Sequence, residues 1–523
     1  MEKTAISNSK GVRQTCWLFL AALTLFYLSL TPGTIEGQGY NRENLIAADQ
    51  VVINAINAVA GRPLVKVEWT RHGFVEPMFH LPFAAISQLL PGDTVKWAGR
   101  LAILQPMLAT SLLCTLLLIW VYRLTGSFRW AVLLAVSAGI GTMLWPYAYV
   151  GLETTQSLAL LVAAFIALGR EPKHSWPEVL LFAFACAVAV TVKLNGVFLA
   201  PAIGFLIFGY CRVRTAHSEV GQVQNLPRQI KNWKLVAVLT TIAVFYALNH
   251  LAKSRYWSGM DAGVSYFFDI LTDSPLTAAL QAFAFFGSPN KSLFLFCPIL
   301  LLSLVTMGGA WRRQPAIVIF TLLALGGLVC GFSITRVWTD ETWGPRYLHA
   351  TIAPLTLCLA AAKSSAKFHW QQTLPVFVLL VAGSGVSLLG SFFPYGVLHV
   401  TAIQTSQATL ETLQHDPRWN HLRFNWRLMK IWAVGNSPQP ELWPPPPRWW
   451  FVRSGDASPE KTVDLRQLAN PQPMLAQRWR TTMQASPKSF SLVRILTAVF
   501  LAAGLMGLAA VWRRANAIDR ETE

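Results

Sequence analysis

Asp340-Glu341-Thr342-Trp343-Gly344-Pro345-Arg346-Tyr347-Leu348 joins two apolar runs near the middle of the chain, at about 315–335 and 346–362. Two acids, an Arg beside Gly-Pro and two aromatic rings therefore occupy the boundary between apolar segments. If those segments cross a bilayer, the charges sit where solvation alone does not favour them. Ionisable groups at such places are functional candidates by default.

Composition decides whether the runs are spans. The 523 residues are 53% hydrophobic and 13% charged, about half the roughly 25% charge of a soluble domain. Mean hydropathy is +0.42, and several runs reach the ~20 residues a helix needs to cross a bilayer. The class this implies is an all-α polytopic membrane protein; a barrel would show short alternating strands. The net charge of +18 does not signal nucleic acid, because Lys and Arg are scattered among short loops in the manner of an orientation signal. The seven cysteines (Cys16, Cys114, Cys186, Cys211, Cys297, Cys330, Cys358) lie in or at the ends of apolar segments, so no disulfide framework is expected.

Spans are expected at about 15–32, 97–122, 130–147, 154–169, 177–193, 195–210, 234–252, 292–311, 315–335, 346–362, 373–392 and 490–512, about twelve in all. The first run lacks a small-x-small cleavage site and reads as a retained span. With a cytoplasmic N-terminus, each inside connection is basic: Arg123 and Arg129, Arg170 and Lys173, Arg212 to Lys234, Arg312 and Arg313, Lys363 and Lys367, then Arg513 and Arg514. That pattern places both termini in the cytoplasm. It puts the long polar regions outside: Gly33 to Lys96, Lys253 to Lys291 and Phe393 to Phe490, together with the Asp340-to-Arg346 segment. The chain divides into a transmembrane module (1–392, first outer loop 33–96), an extracytoplasmic Trp/Pro-rich region (393–489) and a last span with its tail (490–523).

The first outer loop carries Leu45, Val52, Ile56 and Val59 at helical spacing, which suggests an amphipathic interfacial helix. The run from Met78 to Leu90, after Pro77, is too short to span and reads as a re-entrant or interfacial helix. Trp419, Trp426, Trp432, Trp443, Trp449 and Trp450 mark the last outer region as either a headgroup- or sugar-binding surface or a small cap packed on the helices.

Several outer residues could carry chemistry. Glu36, at the mouth of the first span, could take a proton from an attacking hydroxyl or be a solvated loop acid; Glu43, Asp49, Glu68 and Glu76 compete for the role. Glu153, after the aromatic turn Trp145-Pro146-Tyr147, either caps a helix or supplies a second site acid. Lys193 in Val192-Lys193-Leu194-Asn195-Gly196, Lys291 in Ser288-Pro289-Asn290-Lys291, and Arg346 lie at outer span ends. They could converge on a phosphate or snorkel to lipid headgroups. Asp340, Glu341, Trp343 and Tyr347 would support Arg346. His72, Glu76 and His80 are spaced like metal ligands, but Pro77 is expected to start the helix and leave His72 outside it. A divalent metal stays open, no cofactor is called for, and no nucleotide-binding loop appears.

These motifs and their order, including Phe286-Gly287-Ser288-Pro289-Asn290-Lys291 and with Trp343-to-Leu348 the most specific, resemble the GT-C superfamily of membrane glycosyltransferases, such as the protein O-mannosyl and lipid A aminoarabinose transferases. The resemblance covers most of 15–395. It implies a polyprenyl-phosphate-sugar donor and a glycan, lipid or protein acceptor. Transfer would occur with inversion on the extracytoplasmic face of a bacterial inner membrane. It implies Glu36 as nearest match to the first-loop acid, Glu153 as the second acid, and Lys193 and Arg346 as donor-phosphate ligands. Glu36 departs from the common pattern, since Gly37-Gln38 follows it where protein mannosyltransferases have adjacent acids. Two other readings stand beside this one: a glycan ligase or polymerase using lipid-diphosphate donors, and a twelve-span transporter or lipid flippase. The transporter reading predicts charges at span midplanes and repeated halves, and neither is visible.

Overall fold

In the computed structural model the described residues are 10–29, 39–69, 73–149, 151–170, 175–211, 232–256, 271, 274–335, 343–363, 370–392, 420–434, 442–443, 463–464 and 487–522. They form an all-α polytopic membrane protein. In chain order the helices are α1 (Lys10–Ser29), α2 (Gly39–Val59), α3 (Val75–Ser87), α4 (Thr94–Ala102), α5 (Leu104–Thr125), α6 (Phe128–Ile140), α7 (Leu144–Tyr147), α8 (Gly151–Leu168), α9 (Trp176–Thr191), α10 (Ala200–Cys211) and α11 (Asn232–Tyr256). Then follow α12 (Pro275–Gly287), α13 (Leu293–Phe296), α14 (Leu300–Arg313), α15 (Pro315–Ser333), α16 (Ile352–Ala361), α17 (Trp370–Phe392), α18 (His421–Val434) and α19 (Pro487–Thr522). Two 3-10 turns, Leu194–Leu199 and Arg346–Thr351, lead into α10 and α16. The described strands, β1 (Leu442–Trp443) and β2 (Val463–Asp464), pair antiparallel.

Among the described residues six helices are long and apolar enough to cross a membrane: Lys10–Ser29, Thr94–Thr125, Trp233–Lys253, Pro315–Ser333, Thr373–Ser391 and Ile495–Glu521. Several other expected spans are shorter or broken. The run at 292–311 is α13 plus α14, interrupted at Cys297-Pro298. The runs at 195–210 and 346–362 each open with a 3-10 turn. Such breaks free backbone groups that only protein burial can satisfy within a membrane, and both 3-10 turns lie at the site described below. The apolar helix α12 falls inside the expected outer region 253–291. Its limits are local: Ser274 Oγ accepts from Leu276 N, Pro275 stands in the first turn, and Gly287 closes it.

Burial sorts the helices into centre and periphery. The Thr94–Thr125 span is 67% buried and α11 only 17%, with Val236, Leu239, Val244, Leu248 and Leu251 exposed as lipid-facing residues. α1 packs along α19. There a Cβ on Gly504 would lie 2.8 Å from Phe26 N and one on Gly507 2.6 Å from Ala22 Cβ, so only glycine permits that approach.

Residues expected on the inside meet one another. Asp519 on α19 accepts from Phe128 N (2.6 Å), Arg129 N (3.1 Å), Ser127 Oγ (3.0 Å) and Arg129 Nε (2.8 Å), capping α6. Arg170 pairs with Glu178 at 2.6 Å. At the opposite end, α2 and α3 cover the bundle. α2 carries the expected helical spacing, but only its early part packs: Leu45 is buried, whereas Ile56 and Val59 are exposed. Asp49 stitches α2 to its neighbours, accepting from Gln88 Nε2 (2.6 Å) and Thr94 Oγ1 (3.4 Å). All seven cysteines are free.

Candidate functional site

Glu153 lies in the first turn of α8 and is almost fully buried. Its carboxylate turns to the neighbouring helix end instead of capping its own amides. Lys193 follows α9 in extended conformation, and its Nζ donates to Glu153 Oε1 at 2.5 Å. The bend behind it is tight: a Cβ on Gly196 would lie 2.1 Å from Val190 O. Asn249 on α11 fixes the approach, accepting from Phe74 N (2.9 Å) and donating to Thr191 O (2.8 Å). One side chain thus ties the stretch before Glu76 to the stretch before Lys193.

Arg346 arrives from the other direction. Gly344 adopts φ +58° in a space lined by Met143 and Phe296, where no side chain fits. Pro345 then leads into the 3-10 turn. In a 3-10 turn residues i and i+3 eclipse, so Arg346 and His349 share a face. On α8, Glu153 and Ser157 share a face at i, i+4. The two faces meet in register: Arg346 Nε lies 3.7 Å from Glu153 Oε1, and His349 Nδ1 lies 2.7 Å from Ser157 Oγ. Ser157 donates its only proton to the Glu153 carbonyl (2.8 Å). His349 must then donate from Nδ1, which leaves Nε2 as a buried lone pair with no partner.

Tyr347 sits between the cations. Lys193 Nζ is 4.8 Å and Arg346 Cζ 5.0 Å from its ring centre, and Arg346 Nη2 donates to its hydroxyl at 3.3 Å. Phe332 stacks on the same ring at 4.2 Å.

Lys291 reaches the Arg346 loop from behind, donating to Gly344 O at 3.3 Å, while Tyr147 Oη donates to Trp343 O at 2.8 Å. Among the described residues, Lys291 thus bonds to the backbone of the Arg346 loop. Trp343 is a packing residue, edge-on to Phe296 and parallel to His421. Asn420 Nδ2 donates to Pro289 O (2.5 Å) and Asn425 Nδ2 to Leu389 O (3.0 Å), so α18 caps this end of the bundle.

Among the described residues of the first loop, Glu76 packs against the site. It stands in the first turn of α3 and is fully buried. It presses against the start of α8, where a Cβ on Gly151 would lie 2.1 Å from its Oε1. Burial pushes its carboxyl up to about 8. The Glu153 charge raises it further, and Lys193 lowers it in turn. The Thr155 hydroxyl gives its proton to Gly151 O and accepts from Gln105, so neither Glu76 oxygen holds a hydrogen-bond donor. His80 Nε2 is 3.8 Å away, and burial lowers His80 to about 4. At neutral pH both groups are largely uncharged, so this contact is not an ion pair.

The structure therefore brings together Glu153, Lys193, Arg346 and Tyr347, with Lys291 and Trp343 behind the loop. Glu36, Asp340, Glu341 and His72 lie outside the described residues. Asp49 is structural, and Glu68 is exposed. No three His, Cys, Asp or Glu side chains gather as a metal site among the described residues. Ser157, His349 and Gln105 escaped the sequence reading, and Tyr147 entered it only as part of the aromatic turn before Glu153. The i+3 spacing of His349 from Arg346 was the one signal available for them.

Fold and site define an α-helical integral membrane protein with a buried charged cluster at one end of its bundle. No protein-family model matches the chain, and no curated sequence is similar to it. In three dimensions it is similar to a crystal structure of ArnT from Cupriavidus metallidurans bound to undecaprenyl phosphate, at 15% identity and a TM-score of 0.44, over 80% of this chain and 77% of that one. It is also similar to the apo state of ArnT from the same organism, at 16% identity and a TM-score of 0.43, over 82% and 78% of the two chains.

Proposed function

We propose that the chain is a glycosyltransferase that moves a sugar from a polyprenyl-phosphate donor to an acceptor hydroxyl on the extracytoplasmic face, with inversion at the anomeric carbon. One observation carries the reading: Lys193 and Arg346, from separate helix ends, converge on Glu153 Oε1 and the Tyr347 ring. The order of motifs resembling the GT-C superfamily supports it.

The chemistry follows from these residues. The acceptor oxygen bonds to the anomeric carbon as the carbon–oxygen bond to phosphate breaks. The bonding pair leaves with the phosphate, which gains a negative charge. Lys193 and Arg346 stand where pre-oriented cations would stabilise that charge, and a single such donor is worth roughly 100- to 1000-fold in rate. Glu153 keeps both cations in place. The acceptor proton passes to a first-loop carboxylate. We assign that role to Glu76, whose value of about 8 suits a base working near neutral pH, with Glu36 as the second candidate.

The test is transfer by the purified chain from polyprenyl-monophosphate sugars. Transfer that needs Arg346 and Lys193 supports the reading. Transfer from lipid-diphosphate donors alone would move the chain to the ligase class. Solute movement in vesicles without sugar transfer would defeat the enzyme reading.

A further inference from the structure

We infer that Tyr347 is a positioning residue whose ring face sets the separation and aim of Lys193 and Arg346, so that both address one phosphate. This rests on the phosphate reading above. A lone carboxylate oxygen cannot do the same work. Both cations share Glu153 Oε1, at 2.5 and 3.7 Å, and an oxygen accepts donors over a broad range of directions. Two like charges drawn to one atom would also repel each other along whatever direction is soft.

An aromatic face is more directional. Its negative quadrupole attracts cations within about 6 Å of the ring centre, and both groups lie inside that distance at 4.8 and 5.0 Å. The ring is itself anchored. Phe332 stacks on it at 4.2 Å with 27° between planes, and Phe198 meets Phe332 edge-on at 5.3 Å. Phe198 in turn fills the space left by Gly331, where a Cβ would lie 2.2 Å from its ring. A continuous line of packed rings thus runs from α15 to the two cations. The ring holds them without cancelling their charge, which a second carboxylate would do.

A filler role for Tyr347, which is nearly buried, makes a different prediction, since a filler is indifferent to the electron density of its ring. Fluorination of the ring removes that density with little change in shape. The full chain in lipid nanodiscs is therefore prepared with Tyr347 replaced by Phe, by mono-, di- and trifluorinated Phe, and by Leu. Binding of undecaprenyl phosphate is measured alongside the melting temperature. The Phe chain, which lacks the hydroxyl that accepts from Arg346, is the reference for the ring alone, and affinity should fall stepwise with fluorine to about a tenfold loss against it, at unchanged melting temperature. Fluorinated chains that bind like the Phe chain overturn the inference while wild-type binding stays intact. A wild-type chain that binds no undecaprenyl phosphate overturns the phosphate reading and this one with it.

Discussion

Lys193 donates to Glu153 Oε1 at 2.5 Å although the two lie 40 residues apart, one in the extended stretch after α9 and the other in the first turn of α8. Both are buried, and breaking a buried pair leaves an uncompensated charge, at about 3–5 kcal/mol. Lys193→Met should therefore lower thermal stability in detergent substantially. The double variant Lys193→Met/Glu153→Gln should recover a large part of the loss while remaining inactive. Equal melting temperatures for single and double variants would show that the pair does not hold the helix ends together.

Arg346 meets its partners with a planar, directional head, so charge alone should not replace it. Arg346→Ala should lower transfer roughly 100- to 1000-fold, and Arg346→Lys should recover little of that. Steady-state rates with a lipid-phosphate donor decide the point; full rescue by Lys would reduce Arg346 to a point charge.

Gly151 leaves the room that Glu76 occupies, since a Cβ there would lie 2.1 Å from Glu76 Oε1. Gly151→Ala should displace the carboxyl and cost about 1–3 kcal/mol of stability, with a larger proportional loss of transfer. Unchanged activity and melting temperature would remove Glu76 from the site.

The raised carboxyl of Glu76 gives a signed pH dependence. Its folded value is about 8 against an ordinary 4.5, so between those limits the folded chain holds the proton more firmly than the unfolded one. Its contribution is fully present below 4.5 and is lost as pH rises to about 8. Thermal melts should show this decline for wild type and a flatter profile for Glu76→Gln. Transfer should change in the opposite sense, rising with pH towards 8, because the base must be deprotonated. A Glu36→Ala chain with wild-type transfer and a Glu76→Gln chain without it would settle which acid is the base.

Asp519 is far from the site in function but central to the opposite end. Asp519→Ala removes four contacts at the start of α6. It should cost about 2 kcal/mol, the upper end for losing a helix cap, while leaving affinity for undecaprenyl phosphate unchanged.

The apolar runs that became α1, α5, α11, α15, α17 and α19 are legible because each carries about twenty apolar residues, a property of composition alone. The breaks within other runs are less visible. Cys297-Pro298 interrupts a run whose hydropathy stays high, and the 3-10 turns Leu194–Leu199 and Arg346–Thr351 pass directly into apolar helices, so packing sets where each regular helix begins. Glu153, Lys193 and Arg346 stand out because charge beside an apolar run is costly wherever it occurs. Ser157 and His349 carry no such mark, being ordinary polar residues until two helix faces meet in register. The packing of Glu76 against α8 was not legible, because it depends on Asn249, 175 residues away from Phe74, drawing the first loop onto the bundle.

The seam between α1 and α19 bears on how the protein is made. A helix translated early is held by one translated much later, through Ala22 and Phe26 against Gly504 and Gly507. During synthesis the groove-facing side of α1 stays uncovered by α19 until that helix has been made. Nascent chains cut short before Gly504 would leave that groove open to lipid.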